Sequence, residues 1–347
     1  MDKELQCDFY FGDKVPGVLK EMDCTLLKGY KKRFCNIVYD THIIWQRRIL
    51  YLLFKPYKHY ILTVDTACLT DWIFIVLAKL LNKNIYFWTH GWYGNESSLE
   101  KIKKKFYYYP ATALLLYSEY AKNLMIQEGF KNDKLFVIAN SLDYFNHLKI
   151  RKELTKNNIY YDYFQNHDPV IIFIGRLEPK KRLNELIKMI DTLQTKNKNI
   201  NVVMIGSGSD EIHLKSLADK LKLTSKIWFV EECYDEKTIG NYLYNADICL
   251  SPGNVGLTAI HALSFGTPVI THSDFQMQMP EFESIIENKT GAFFVRNDYA
   301  SMVDCVDNWL TLHPVKDQQT IDACFSSIDL KYNPYYQLDV IKKALQL

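Results

Sequence analysis

A chain of 347 residues is long for one domain and sufficient for two, and 48% hydrophobic against 24% charged residues is an ordinary globular balance with apolar material for two cores. A net charge of +2 leaves no global electrostatic case for nucleic-acid binding, although the first 145 residues lean basic and the remainder acidic. The eight cysteines are scattered, with no CxxC pair and no Cys–His metal spacing, which argues against a zinc module or a disulfide framework and fits a reducing compartment.

The charged start, Met1-Asp2-Lys3-Glu4, does not read as a signal peptide. The most apolar run, 72–81, is about half the length a membrane span needs and contains Lys79, so a cytoplasmic protein is expected. In chain order, residues 8–11, 36–39, 60–64, 85–89, 113–117 and 135–138 read as strands, with helical patterns at 71–82 and 119–128. The polar stretch 146–168 reads as a linker. A clean strand at 170–175 restarts the series, followed by helix 182–195, strand 201–205, helix 210–221, strand 226–230 and helix 235–245. Strand 248–250, helix 257–265, strand 268–271 and helix 299–311 complete it, and 331–347 is expected to form a C-terminal helix that packs back on the first domain.

This alternation predicts an α/β chain of two doubly wound Rossmann-like domains, 1–145 and 169–330, facing each other across a cleft. Ligands of such sheets sit beyond the carboxyl ends of the strands, which directs attention to four loops. The first is Gly175-Arg176-Leu177-Glu178-Pro179-Lys180-Lys181-Arg182. Its glycine lets backbone approach a phosphate, and its cations can clamp a diphosphate. Positive charge at a helix start opposes the helix dipole, which favours a nearby anion over a merely solvated helix end. The second, Gly206-Ser207-Gly208-Ser209, taken alone serves equally as a tight turn, and the third, Val230-Glu231-Glu232, equally as an edge loop. The fourth runs from Ser251 through Gly253, Asn254, Val255, Gly256, Leu257 and Thr258 into a helix, then through Gly266-Thr267-Pro268-Val269 into a strand. The N–H groups of Gly256, Leu257 and Thr258 would open that helix, where phosphate is favoured.

Together these loops resemble glycosyltransferase family 4 over roughly residues 85–300. The resemblance implies a GT-B fold, a UDP- or GDP-linked sugar donor and retention of configuration by front-face attack, with no enzyme nucleophile. It implies diphosphate contacts from Arg176 and Lys181 and donor contacts along Gly175, Gly206, Val230 and the segment from Gly253 to Thr258. Glu283, eight positions before Gly291, matches the family's E-x7-G element. His90-Gly91, after strand 85–89, corresponds to a pair near the donor sugar and reactive centre. Gly12 to Gly17 falls where a phosphate-side loop normally lies, and Ser118-Glu119 and Asn140 to Asp143 match architectural landmarks. One departure stands out: the glutamates of the family's E-x7-E motif are replaced by Gly253 and His261. The imidazole of His261 can still bond a ribose hydroxyl, and a glutamate restored there is expected to be tolerated.

No D-x-D occurs, which argues against a metal-dependent GT-A enzyme, so no metal and no cofactor are expected. Basic-aromatic runs at 28–34, 51–58 and 101–109 suit a membrane surface, and a glycan or lipid-linked glycan acceptor in surface polysaccharide assembly would fit them. A sugar-nucleotide epimerase and a catalytically silent partner subunit remain alternative readings.

Overall fold

The structure, a computed structural model, describes residues 1–13, 23–39 and 43–347. They form two compact units, Met1–Ile138 with Leu338–Leu347, and Ala139–Gln337.

The first unit contains β1 (Phe9–Gly12), β2 (Tyr30–Phe34), β3 (Asn36–Tyr39), β4 (Ile43–Gln46), β5 (His59–Thr63), α1 (Leu69–Leu80), β6 (Asn84–Thr89), α2 (Ser98–Tyr108), β7 (Ala113–Leu116), α3 (Glu119–Gln127) and β8 (Leu135–Val137). Strands β5-β6-β7-β8 form a parallel sheet in sequential order. Phe74, Ile75 and Ala78 of α1 and Tyr107 and Tyr108 of α2 join one core cluster with Phe87 and Leu114 of the sheet. A separate cluster brings Tyr86 and Leu115 together with Ile341, Ala344 and Leu345 near the C-terminus. The expected single series of strands needs correction. Among the described residues, β1 pairs with β2 in a parallel ribbon and β3 with β4 in an antiparallel one, outside the four-stranded sheet. Helix α2 is started by a capping box, in which Ser97 and Glu100 satisfy each other's backbone N–H groups.

The second unit begins with α4 (Tyr144–Arg151) and α5 (Ile159–Phe164), so residues 146–168 are not a free linker. Their aromatic and aliphatic faces are buried: Tyr160 and Phe164 of α5 lie in the interior, and the Tyr160 hydroxyl donates to the carbonyl of Tyr242. The series continues with β9 (Val170–Ile174), α6 (Leu183–Thr195), β10 (Asn201–Ile205), α7 (Glu211–Lys220), β11 (Ile227–Val230), α8 (Glu236–Asn245), β12 (Ile248–Ser251), α9 (Leu257–Ser264), β13 (Val269–His272) and β14 (Gly291–Phe294). Three helices close it, α10 (Tyr299–Leu312), α11 (Gln318–Lys331) and α12 (Pro334–Leu345), the last crossing into the first unit. All six strands are parallel, in the order β11-β10-β9-β12-β13-β14. β9 and β10 are apolar apart from Asn201 and wholly buried, as strands covered by helices on both faces must be.

Candidate functional site

The strand order of the second sheet reverses between β9 and β12, and the loops leaving the carboxyl ends of those two strands diverge around a topological switch point. The chain uses it. After β9, Gly175 donates to the carbonyl of Ile205 at 3.0 Å and Leu177 to that of Ser207 at 2.9 Å, which seats this loop against the turn after β10. A Cβ on Gly206 would lie 2.1 Å from the Gly175 carbonyl oxygen, so only glycine permits that approach. Gly206 in turn donates to Val230 at 3.1 Å, and Ser207 Oγ donates to Glu232 at 2.9 Å, joining the loops after β10 and β11.

The loops after β9 and β12 meet directly. The Gly253 N–H donates to the carbonyl of Lys181 at 3.1 Å, and Lys181 Nζ donates to both oxygens of Asn254. A Cβ at Gly253 would stand 2.3 Å from the Lys180 carbonyl oxygen. Only glycine therefore permits this approach of the two loops. Burial, reinforced by Lys180, lowers the Lys181 ammonium to about 8. Arg176 is exposed and pairs with Glu178 at 3.1 Å, while Lys180 pairs with the same carboxylate at 2.7 Å.

Gln278 shapes the second loop. It accepts from the Val255 N–H at 2.9 Å and donates to Thr271 and His272. Gly256 and Leu257 then start α9, and Thr258 Oγ1 ties its first turn to the Ile174 carbonyl at 3.0 Å. One turn on, His261 Nε2 donates to Glu236 Oε2 at 2.9 Å, and His147 Nε2 donates to the same oxygen at 3.0 Å. The two imidazoles stack at 5.5 Å. Burial opposes charge on Glu236, yet the hydrogen bonds from His147 and His261 prevail and hold its carboxyl at about 2.

These three side chains could in principle share a divalent metal, since their ligand atoms lie within 4.8 Å of one another. A metal on Nε2 of His147 would place the ring proton on Nδ1, which is buried without a partner, whereas metal-bound imidazoles normally give that proton to an outer acceptor. Two imidazole N–H groups donating to one carboxylate oxygen fit the observed geometry better.

Sequence reasoning missed His147, Glu236, Gln278 and Glu281. Glu283 faces Lys331 at 3.6 Å, whereas Glu281 is the buried acid of the segment. Glu281 Oε1 accepts from Asn140 at 2.9 Å, its Oε2 is buried without a partner, and burial raises its pKa. Both lie in one short helical turn, Pro280–Ser284, and the neighbouring residues gave no signal that could have separated Glu281 from Glu283.

His90, Gly91 and Gly12 belong to the first unit, and Gly17 lies outside the described residues. His90 follows β6, its ring 4.7 Å from that of Tyr117, and its buried Nδ1 finds no partner. Burial, then Lys104, lowers its pKa, which keeps it neutral at physiological pH. Gly91 takes a φ of +73°, and its carbonyl accepts from Lys104. Gly12 ends β1 so close to Asn36 that a Cβ would meet its side chain at 2.1 Å.

Residues 162–323, which carry every loop of this switch point, match the model of the family described as Glycosyl transferases group 1. An uncharacterized glycosyltransferase of Haemophilus influenzae is 27% identical to it over 191 residues, 54% of this chain and 48% of that relative. The chain thus spans about half the length of that curated relative. Among solved structures, Anabaena HepE in complex with UDP superposes with a TM-score of 0.68 at 12% identity, covering 92% of this chain and 86% of that one. The lipopolysaccharide outer core galactosyltransferase WaaB, in its apo form, gives 0.69 at 16% identity, covering 94% and 87%. These likenesses are of fold: the chain has the two Rossmann-like α/β domains with parallel sheets of the GT-B architecture. Among the described residues no helix is long and apolar enough to cross a membrane.

Proposed function

We propose that this chain is a retaining glycosyltransferase that moves a sugar from a UDP- or GDP-linked donor to a glycan or lipid-linked glycan acceptor in surface polysaccharide assembly. The observation that carries the reading is the meeting of Lys181 and Asn254 at the switch point, a cation and a glycine loop at the head of α9. HepE, which shares the fold, was solved with UDP, in keeping with a nucleotide donor.

In this reading Lys181, Arg176 and the first amides of α9 bind the diphosphate and stabilise the charge that grows on it as the glycosidic bond breaks. The acceptor hydroxyl attacks the anomeric carbon on the face the diphosphate leaves. Its proton passes to the departing phosphate oxygen, so no enzyme nucleophile and no metal are required. His90, neutral and anchored among aromatic rings, contacts the sugar. His261 and Glu236 together take the part of the ribose-binding carboxylate.

The test is incubation with a panel of UDP- and GDP-sugars, with and without EDTA, followed by separation of nucleotides and sugar products. Release of the nucleoside diphosphate from one donor, unaffected by EDTA, is expected. An epimerised nucleotide-sugar with no diphosphate release would identify an epimerase, and failure to bind any donor would identify a silent partner. Loss of turnover in EDTA, restored by a divalent cation, would overturn the metal-free mechanism.

A further inference from the structure

Helices α1 and α2 join successive parallel strands and lie side by side, with Trp72 edge-on to Tyr107 at 4.8 Å and the Tyr107 hydroxyl donating to Asp71 at 3.3 Å. Both bury an apolar face against the sheet, as expected. Their outward faces are apolar too. On α2 and its cap, Leu99, Ile102, Phe106 and Tyr109 recur at helical spacing and are 80%, 52%, 72% and 68% exposed. On α1, Leu69, Ile73, Val76 and Leu80 form a second exposed stripe at the same kind of spacing. A helix covering a sheet ordinarily turns polar residues outward, and two neighbouring helices that both turn hydrocarbon outward make a contiguous apolar surface of the kind that marks an interaction site. Phe54, at the end of the short helical turn that packs on α1, is a further exposed aromatic side chain near it.

Charge frames this surface with one sign. Lys103 falls beside the α2 stripe on the helical wheel, and Lys79 beside that of α1. The carboxylates are engaged elsewhere: Asp71 accepts from Tyr107, Glu100 accepts from the Ser97 N–H, and Glu128 is held between Lys101 and Lys105. Exposed aliphatic and aromatic side chains bordered by Lys79 and Lys103, which pair with no acid among the described residues, match the interfacial region of an anionic bilayer, where hydrocarbon enters the acyl boundary and ammonium groups meet phosphate. We propose that the outward face of α1 and α2 is a docking surface for an anionic phospholipid membrane. The inference stands on this surface alone, and the measurement that tests it involves no sugar donor.

The experiment is co-sedimentation of the whole protein with phosphatidylcholine vesicles and with vesicles containing about one third phosphatidylglycerol. The protein is expected to pellet with the anionic vesicles and to be released by salt. Ile102→Glu with Phe106→Glu, and separately Leu80→Glu, should each weaken the partition by about tenfold or more while leaving far-UV circular dichroism and the melting temperature unchanged. Lys103→Glu should weaken it on anionic vesicles alone. A wild-type protein that stays in the supernatant, or variants that sediment equally, would overturn the proposal. So would a wild type that ignores vesicles and self-associates in the analytical ultracentrifuge while Ile102→Glu/Phe106→Glu is monomeric, since that face would then join two copies of the chain.

Discussion

The ammonium of Lys181 lies 2.7 Å from the backbone carbonyl oxygen of Asn254 and 2.9 Å from its side-chain oxygen, so a half-buried cation bridges the two loops that flank the sheet's switch point. Three of its possible donor bonds are not all spent on these two acceptors, which leaves the charge able to face an anionic group. Lys181→Met should reduce kcat/KM on the order of 10²–10³-fold, the usual loss for one preorganised charge contact. Arg176→Ala should act in the same direction. Turnover at the wild-type level in both variants would remove these residues from the donor site.

Because burial lowers Lys181 to about 8, the free protein should lose donor affinity as pH rises through that value, where the ammonium becomes a neutral amine. Lys181→Arg keeps its charge throughout and should flatten that alkaline limb. Calorimetric titration of the cognate nucleoside diphosphate across the range decides it. An identical limb in the arginine variant would assign the titration to another group.

A Cβ at Gly253 would meet the Lys180 carbonyl oxygen at 2.3 Å, which leaves no room there for the glutamate that the resemblance would lead one to expect. Gly253→Glu is therefore expected to destabilise rather than repair the site, and Gly253→Ala should cost on the order of 1–3 kcal/mol through the same overpacking. Thermal denaturation of both variants separates shape from charge. A stable, more active Gly253→Glu would show that the loop moves aside freely.

The structure revises the expectation that glutamate at 261 would be tolerated. His261 Nε2 stands 2.9 Å from Glu236, so a carboxylate in its place would face a carboxylate. His261→Ala should weaken donor binding by about 1 kcal/mol, one ordinary hydrogen bond. His261→Glu should be worse than alanine in the wild-type background and improve when Glu236→Gln is added. Additive effects in that double-mutant cycle would show that the pair does not interact.

Glu281 carries a pKa raised above its ordinary value of 4.5 by burial, so the folded protein holds this proton more tightly than the unfolded chain does. Stability from this group is present below the unfolded value and is lost as pH rises through the folded one. Glu281→Gln keeps an acceptor for Asn140 and carries no charge. Its stability relative to wild type should therefore grow from pH 4 upwards, as read from urea midpoints. A constant difference across pH would mean that Glu281 is not the titrating group.

Much of the second unit was legible in the chain itself. Short, β-branched apolar runs ended by glycine, such as Val170–Ile174, read as strands buried on both faces, and those glycines mark places where backbone passes too close for a side chain. These are local constraints, written within a few residues of where they act. Strand pairing in the first unit was not local: nothing within 8–11 or 36–39 announces that these segments leave the main sheet to pair with Tyr30–Phe34 and Ile43–Gln46. Helices α4 and α5 were hidden because their buried faces are made of tyrosine and histidine as much as of aliphatic residues.

The chemistry divides in the same way. Arg176, Lys181 and the Gly253–Thr258 segment stood out in the chain itself as candidates, through their loops and the family those loops resemble, because one loop contains each set. His147, Glu236 and His261 come from three separate helices, and only the packing of α4 and α8 around α9 puts two imidazoles on one carboxylate oxygen. Glu281 could not be told from Glu283 until the fold buried one and left the other near Lys331. A sequence specifies which groups exist and how the backbone can turn beside them. Which of them lose water, and which meet across the sheet, is decided when distant segments pack, because desolvation and hydrogen bonding depend on neighbours in space.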